Sequence, residues 1–182
     1  RALTRGLIAA FLALPDVELH MVPHVIAPGL PNDDYGAAAD RLCAEFPAIV
    51  RHPDFTSPSD AKSFIAGLDF LTGARMHATI AAFSAGVPVV PISYSRKFEG
   101  LYRGLDYPFL VNARGMNTAA AEAFILDAFR RRSELAAAIA GAKLAIDRGL
   151  ETYVAELTRL FAGLAAPKGA GTQVPVTGPA HP

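Results

Sequence analysis

Arg75, Met76 and His77 follow the apolar run Leu68-Asp69-Phe70-Leu71-Thr72 and open a small-residue helix, Ala78 to Ala85, that stops at Gly86-Val87-Pro88. A strand, a short turn and a helix in that order put Arg75 and His77 at a helix N-terminus beyond the carboxyl end of a strand, where open α/β sheets bind ligands. Positive side chains are disfavoured beside the positive end of a helix dipole. Their placement there makes sense when an anion occupies the site. Arginine offers a planar two-pronged donor to a carboxylate or phosphate, and histidine offers a hydrogen bond or a proton near neutral pH. The alternative is that Arg75 pairs with Asp69 or another carboxylate and that His77 merely caps the helix.

Two further loops reach the same edge of the predicted sheet. His24 follows Pro23 at the end of the first strand, with Asn32, Asp33 and Asp34 before the next helix, and Ser93-Tyr94-Ser95-Arg96-Lys97 follows the fourth strand. Lys97 adds a third positive group. Tyr94 either stacks on a ligand or finishes its strand, and His24 either contacts ligand or serves as a structural hydrogen-bonding group. Asp33 and Asp34 read as helix caps, with binding of acceptor hydroxyls as the other reading. His20, His52 and His181 carry no specific signal. Cys43, beside Leu42 and Phe46, reads as core, and Arg130-Arg131-Arg132 as a solvated helix C-terminus.

The elements that must position these residues alternate short β-branched runs with Ala-rich segments, the pattern of βα units on a parallel sheet. Strands are predicted at Val17 to Pro23, Ala48 to Arg51, Leu68 to Thr72, Val87 to Tyr94 and Phe109 to Val111. Helices are predicted at Leu3 to Leu14, Asp34 to Phe46, Ser59 to Ala66, His77 to Ala85, Lys97 to Arg103, Thr118 to Arg131 and Ser133 to about Gly163, the last interrupted near Gly141 and Gly149. Asp33, then Ser57 or Ser59, then Asn117 or Thr118 are the expected caps. Five strands with intervening helices predict one Rossmann-like parallel layer over residues 1–166. Residues 167–182, rich in Pro, Gly, Thr and Ala, read as a disordered tail.

Composition narrows the function classes. The 182 residues are 52% hydrophobic and carry 17 basic and 17 acidic side chains, so an anion site has to be built locally rather than by net charge. This argues against bulk electrostatic binding of nucleic acid. One cysteine cannot form an internal disulfide, and no Cys/His cluster has zinc spacing, so no metal is expected and a reducing compartment is the simplest reading. Arg1 and Arg5 before Gly6 to Leu14 mimic a secretory signal, but no small-residue cleavage site follows, and an amphipathic helix is expected instead. No apolar run approaches the roughly 18 residues of a membrane span. A first residue of Arg rather than Met suggests a piece of a longer protein. There is no G-x-G-x-x-G after a strand, no G-x-x-x-x-G-K-[ST], no G-x-S-x-G and no H-E-x-x-H, which lowers dinucleotide redox, P-loop, serine-hydrolase and zincin chemistry.

Three segments, MVPHVIAPGLPNDDY, then SPSDAKSFIAGLDFLTGARMHATIAAFSAGVPVVPISYSRKFEGL, then PFLVN, together resemble the polysaccharide pyruvyltransferase family in words, order and spacing across about residues 20–112. The resemblance implies a fold similar to GT-B glycosyltransferases, with this chain as the C-terminal Rossmann-like half. It implies transfer of pyruvate from phosphoenolpyruvate to two hydroxyls of one sugar, giving a ketal in exopolysaccharide or cell-wall polymer synthesis. It matches Arg75, the Met76 backbone and His77 to the donor site, with Lys97 as a further contact; Arg75 would clamp oxyanions and His77 would act as general acid. No cofactor is implied, because phosphoenolpyruvate is the donor substrate. The implied partners are a sugar or lipid-linked oligosaccharide acceptor and a separate N-terminal domain, without which donor binding should be weak and transfer incomplete. The implied location is cytoplasmic, at the inner membrane surface where the acceptor is lipid-linked. Ser95-Arg96 stands where members commonly have Asp-Pro before the lysine. Two other readings are a nucleotide-sugar glycosyltransferase or epimerase domain, disfavoured because no acidic residue lies between Arg75 and Arg96, and a non-catalytic domain of a polysaccharide-synthesis complex.

Overall fold

The computed structural model describes residues 2–25 and 35–165. Asn32, Asp33 and Asp34, the expected cap among them, and the predicted tail with His181 lie outside the described residues. The order of elements is α1 (Ala2–Leu12), β1 (His20–Met21), α2 (Tyr35–Glu45), β2 (Val50–Arg51), α3 (Pro58–Ala66), β3 (Leu71–Gly73), α4 (Met76–Ala85), β4 (Val89–Ser93), α5 (Arg96–Arg103), β5 (Val111–Asn112), α6 (Thr118–Arg130) and α7 (Arg132–Ala165). Each predicted strand and helix is present, in a Rossmann-like α/β arrangement of small parallel sheets flanked by helices.

All strand pairs are parallel, as βα units require, but they form two sheets rather than one five-stranded layer. β1 pairs β2, with His20 opposite Val50, and β4 sits between β3 and β5. The ladders are shorter than the apolar runs that encode them. Pro23 has no N–H to extend β1, and Pro91, inside the central strand β4, has none for either neighbour; β5 joins β4 only at Val111–Asn112.

The core lies where α1, α6 and the start of α7 cover the three-stranded sheet. Leu7, Phe11, Val90, Val111, Ile125 and Leu135 form its buried centre. Phe11, Phe70 and Phe129 meet there edge to face or tilted, with centroids 5.2–6.2 Å apart. On the far side of α4, Phe83 packs edge-on against Tyr102 and Tyr107, and the Tyr107 hydroxyl donates to the Val89 carbonyl at 2.7 Å.

Caps fix the helices that carry the loops of interest. Ser57 accepts from the Asp60 amide and begins α3, with Pro58 at the first helical position; Asn117 accepts from the Ala120 amide and begins α6. α4 ends at Gly86, whose φ of +84° is left-handed, while the Val87 amide closes back on the Ala82 carbonyl at 2.9 Å. No atom stands within 4 Å of where a Gly86 Cβ would lie, so only the backbone conformation selects glycine. Gly86→Ala is therefore expected to cost about 1 kcal/mol of unfolding free energy in urea titrations, without changing the slope.

The backbone groups into two units, Arg1–Ala145 and Ile146–Pro182. Within the first, α7 buries Leu135, Ile139 and Ala142. Within the second it exposes Leu150, Tyr153, Val154, Leu160 and Phe161. The helix runs unbroken through Gly141 and Gly149, where interruptions were expected; a helical glycine costs only about 1 kcal/mol relative to alanine, which the Ala- and Leu-rich flanks offset.

Candidate functional site

The carboxyl ends of β1, β3 and β4 deliver His24, Arg75 and Tyr94 to the rim of one cavity of about 1340 Å³. Arg75 is the N-cap of α4 and makes no side-chain capping bond. Among the described residues no carboxylate pairs with it, Asp69 included. Its guanidinium instead lies over the Tyr35 ring, 3.7 Å from the centroid. Stacking holds a guanidinium in place through its face while leaving the N–H fork at its edge free for a planar oxyanion.

Arg75, whose backbone is extended, lines the larger cavity, and His77, inside the helix, lines a different one. His77, Ile80, Ala81 and Ser84, spaced as one helical stripe, line a second cavity of about 510 Å³ between α3 and α4, with Lys62 opposite on α3. His24 lines both cavities and joins them.

Burial, and then the nearby His77 and Arg75, lower the proton affinity of His24 below the ordinary histidine value, so its imidazole is neutral at pH 7. The sign of the effect on stability follows. As pH falls from the ordinary value of about 6.5 toward the lower value of His24, the unfolded chain takes up a proton that the folded chain refuses, and stability is lost. Above that window the residue makes no difference. His24→Gln is thus expected to flatten the loss of unfolding free energy below about pH 6.5, measured by urea unfolding across pH 5 to 7.5.

Met76 begins α4; its carbonyl accepts from the Thr79 hydroxyl at 2.8 Å. Tyr94 is 55% exposed and packs edge-on to Phe98. Lys97 is exposed on the first turn of α5, a helix capped by Ser95, and lines neither cavity. The Ser95-Arg96 substitution thus falls on the cap and first residue of that helix.

The other histidines have local partners. The His20 Nε2–H donates to Glu18 at 2.6 Å, and the His52 Nδ1–H donates to the Pro53 carbonyl while its ring stacks on Phe55 at 4.4 Å. Cys43 is half-buried, which pushes its thiol up. Arg131 bridges Asp127 and Glu134. Among the described residues no group of three His, Cys, Asp or Glu side chains could hold a metal ion, and no helix is long and apolar enough to cross a membrane.

Two residues at the site lie within the segments that resemble the family but are not among those matched to the donor site. Tyr35 stands 40 positions from Arg75, and the only local hint is an aromatic residue at the first helical position after Asn32-Asp33-Asp34. Lys62 lies in mid-helix, where a lysine ordinarily reads as a solvated face.

The fold and the site define an α/β protein with a two-lobed, cation-bearing cleft at the carboxyl ends of its strands. A family model described as polysaccharide pyruvyl transferase matches residues 3–96, from α1 through the start of α5, and the chain belongs to that family. Among curated proteins no match was found.

Proposed function

We propose that this chain binds phosphoenolpyruvate and serves as the donor half of an enzyme that moves its pyruvyl group onto two hydroxyls of one sugar. The observation that carries this reading is Arg75, a guanidinium stacked on Tyr35 with no carboxylate partner among the described residues, beside two histidines, in a chain of the pyruvyl transferase family. The donor is a small molecule with a carboxylate and a phosphate, and it needs cations that no carboxylate already holds.

In the reaction, the methylene carbon of the donor gains a proton and becomes a methyl group. The two sugar oxygens bond to the central carbon, whose bond to the phosphate oxygen breaks. Of the two hydroxyl protons, one balances the new methyl group and the other leaves with phosphate. Arg75 holds the donor's oxyanion and His77 delivers the proton to carbon. The Met76 amide, in the uncapped first turn of α4, adds a backbone donor, and Tyr94 and His24 line the larger cavity with Arg75. A second Rossmann-like domain, in the GT-B manner, would supply acceptor-side groups, and a lipid-linked acceptor would bring the enzyme to the inner membrane surface.

Calorimetric titration of the chain with phosphoenolpyruvate, UDP-sugars and inorganic phosphate tests the reading. Binding of phosphoenolpyruvate in preference to UDP-sugars is expected. Binding of a UDP-sugar alone would replace it with the nucleotide-sugar alternative.

A further inference from the structure

Lys62 lies in the segment SPSDAKSFIAGLDF that resembles the family but is not among the residues matched to the donor site, yet it lines the same cleft. α3 and α4 lie side by side, and small residues at their contact, Ala61, Ala81 and Ser84, leave the 510 Å³ cavity open between them. Lys62 and His77 stand on its opposite walls, His24 joins it to the larger cavity, and no acidic side chain lines it. Lys62 is exposed and has no acidic partner among the described residues. The larger cavity differs in kind: its cation at this end is the planar guanidinium of Arg75, fixed against Tyr35.

We propose that the two lobes divide the donor's two anionic groups, Arg75 on Tyr35 taking the carboxylate and Lys62, opposite His77, taking the phosphate. This rests on the phosphoenolpyruvate reading above. The residue types match the shapes: a planar fork suits a planar carboxylate, and an ammonium is a compact charge that can follow a tetrahedral phosphate as it leaves. The cavities impose the division, because Arg75 lines only the larger and His77 only the smaller. A lysine on the phosphate also frees His77 to address carbon.

The test uses the full 182-residue chain, with inorganic phosphate and pyruvate as separate probes and the imidazole resonances of His24 and His77 as reporters. Phosphate is expected to shift both resonances, and Lys62→Ala to weaken phosphate and phosphoenolpyruvate binding at least about 10-fold, with recovery in Lys62→Arg. Pyruvate binding should be unchanged in Lys62→Ala and lost in Arg75→Ala. Wild-type affinity of Lys62→Ala for phosphate and phosphoenolpyruvate would overturn the division of the lobes while leaving the donor reading intact. Phosphate binding that depends on Lys62, in a chain that ignores phosphoenolpyruvate, would overturn the donor reading and with it the division, leaving only an anion site at Lys62. An unchanged melting temperature in Lys62→Ala separates either result from misfolding.

Discussion

Arg75→Ala is expected to weaken phosphoenolpyruvate binding about 100-fold while leaving the melting temperature within about two degrees of the parent. The binding loss follows from the guanidinium's freedom: it has no carboxylate to satisfy within the described chain, so its N–H fork is available to ligand. Hydrogen bonds to charged groups contribute about 1.5–3 kcal/mol each, and losing one or two of them gives this factor. The small effect on folding follows from two terms of opposite sign. Removing the stack on Tyr35 costs about 0.5–1 kcal/mol, and removing a positive charge from the N-terminus of α4 returns about 0.3–1 kcal/mol. Arg75→Lys should fall between, since it keeps the charge and loses the fork. Titration calorimetry with matched thermal melts reads both quantities. A drop of many degrees with binding otherwise intact would make Arg75 a structural residue and remove it from the site.

Much of this arrangement is legible in the sequence, for reasons that also explain what is not. Alternation of β-branched runs with Ala-rich segments is a local property, so β1–β5 and α1–α7 all stand where their composition put them. Pairing is not local. Whether β1 continues one sheet with β3 or forms its own ladder with β2 depends on which backbone groups find partners, and nothing in Val17 to Pro23 records that. Caps such as Ser57 and Asn117 are visible because a side chain bonds to an amide three residues on.

At the site, the Arg-x-His spacing announces two groups at one helix start, but not that they line different cavities. Their companions come from afar in the chain. Tyr35 reaches Arg75 from α2, and Lys62 reaches the His77 lobe from α3, so each becomes evident only when the helices are set side by side. Lys97, nearest in motif terms, lines neither cavity, because Ser95 caps α5 and sets Lys97 on its exposed first turn.

His77→Gln separates binding from chemistry at this site. His77 is exposed at the second position of α4 and makes no hydrogen bond that the helix requires, so the variant should fold as the parent does. Glutamine keeps a hydrogen-bond donor of similar reach but has no proton to transfer near neutral pH. Donor affinity should then change only a few-fold, whereas the transfer rate of the enzyme completed by its acceptor-side domain should fall about 10²- to 10⁴-fold, the usual contribution of a positioned acid or base. The proton's destination supplies an independent readout. In deuterium oxide the parent reaction places solvent deuterium in the product methyl group, and the rate of that incorporation should fall in step with transfer. A variant that binds donor and still labels the methyl group at the parental rate would show that another group, with His24 the nearest candidate across the joined cavities, delivers the proton to carbon.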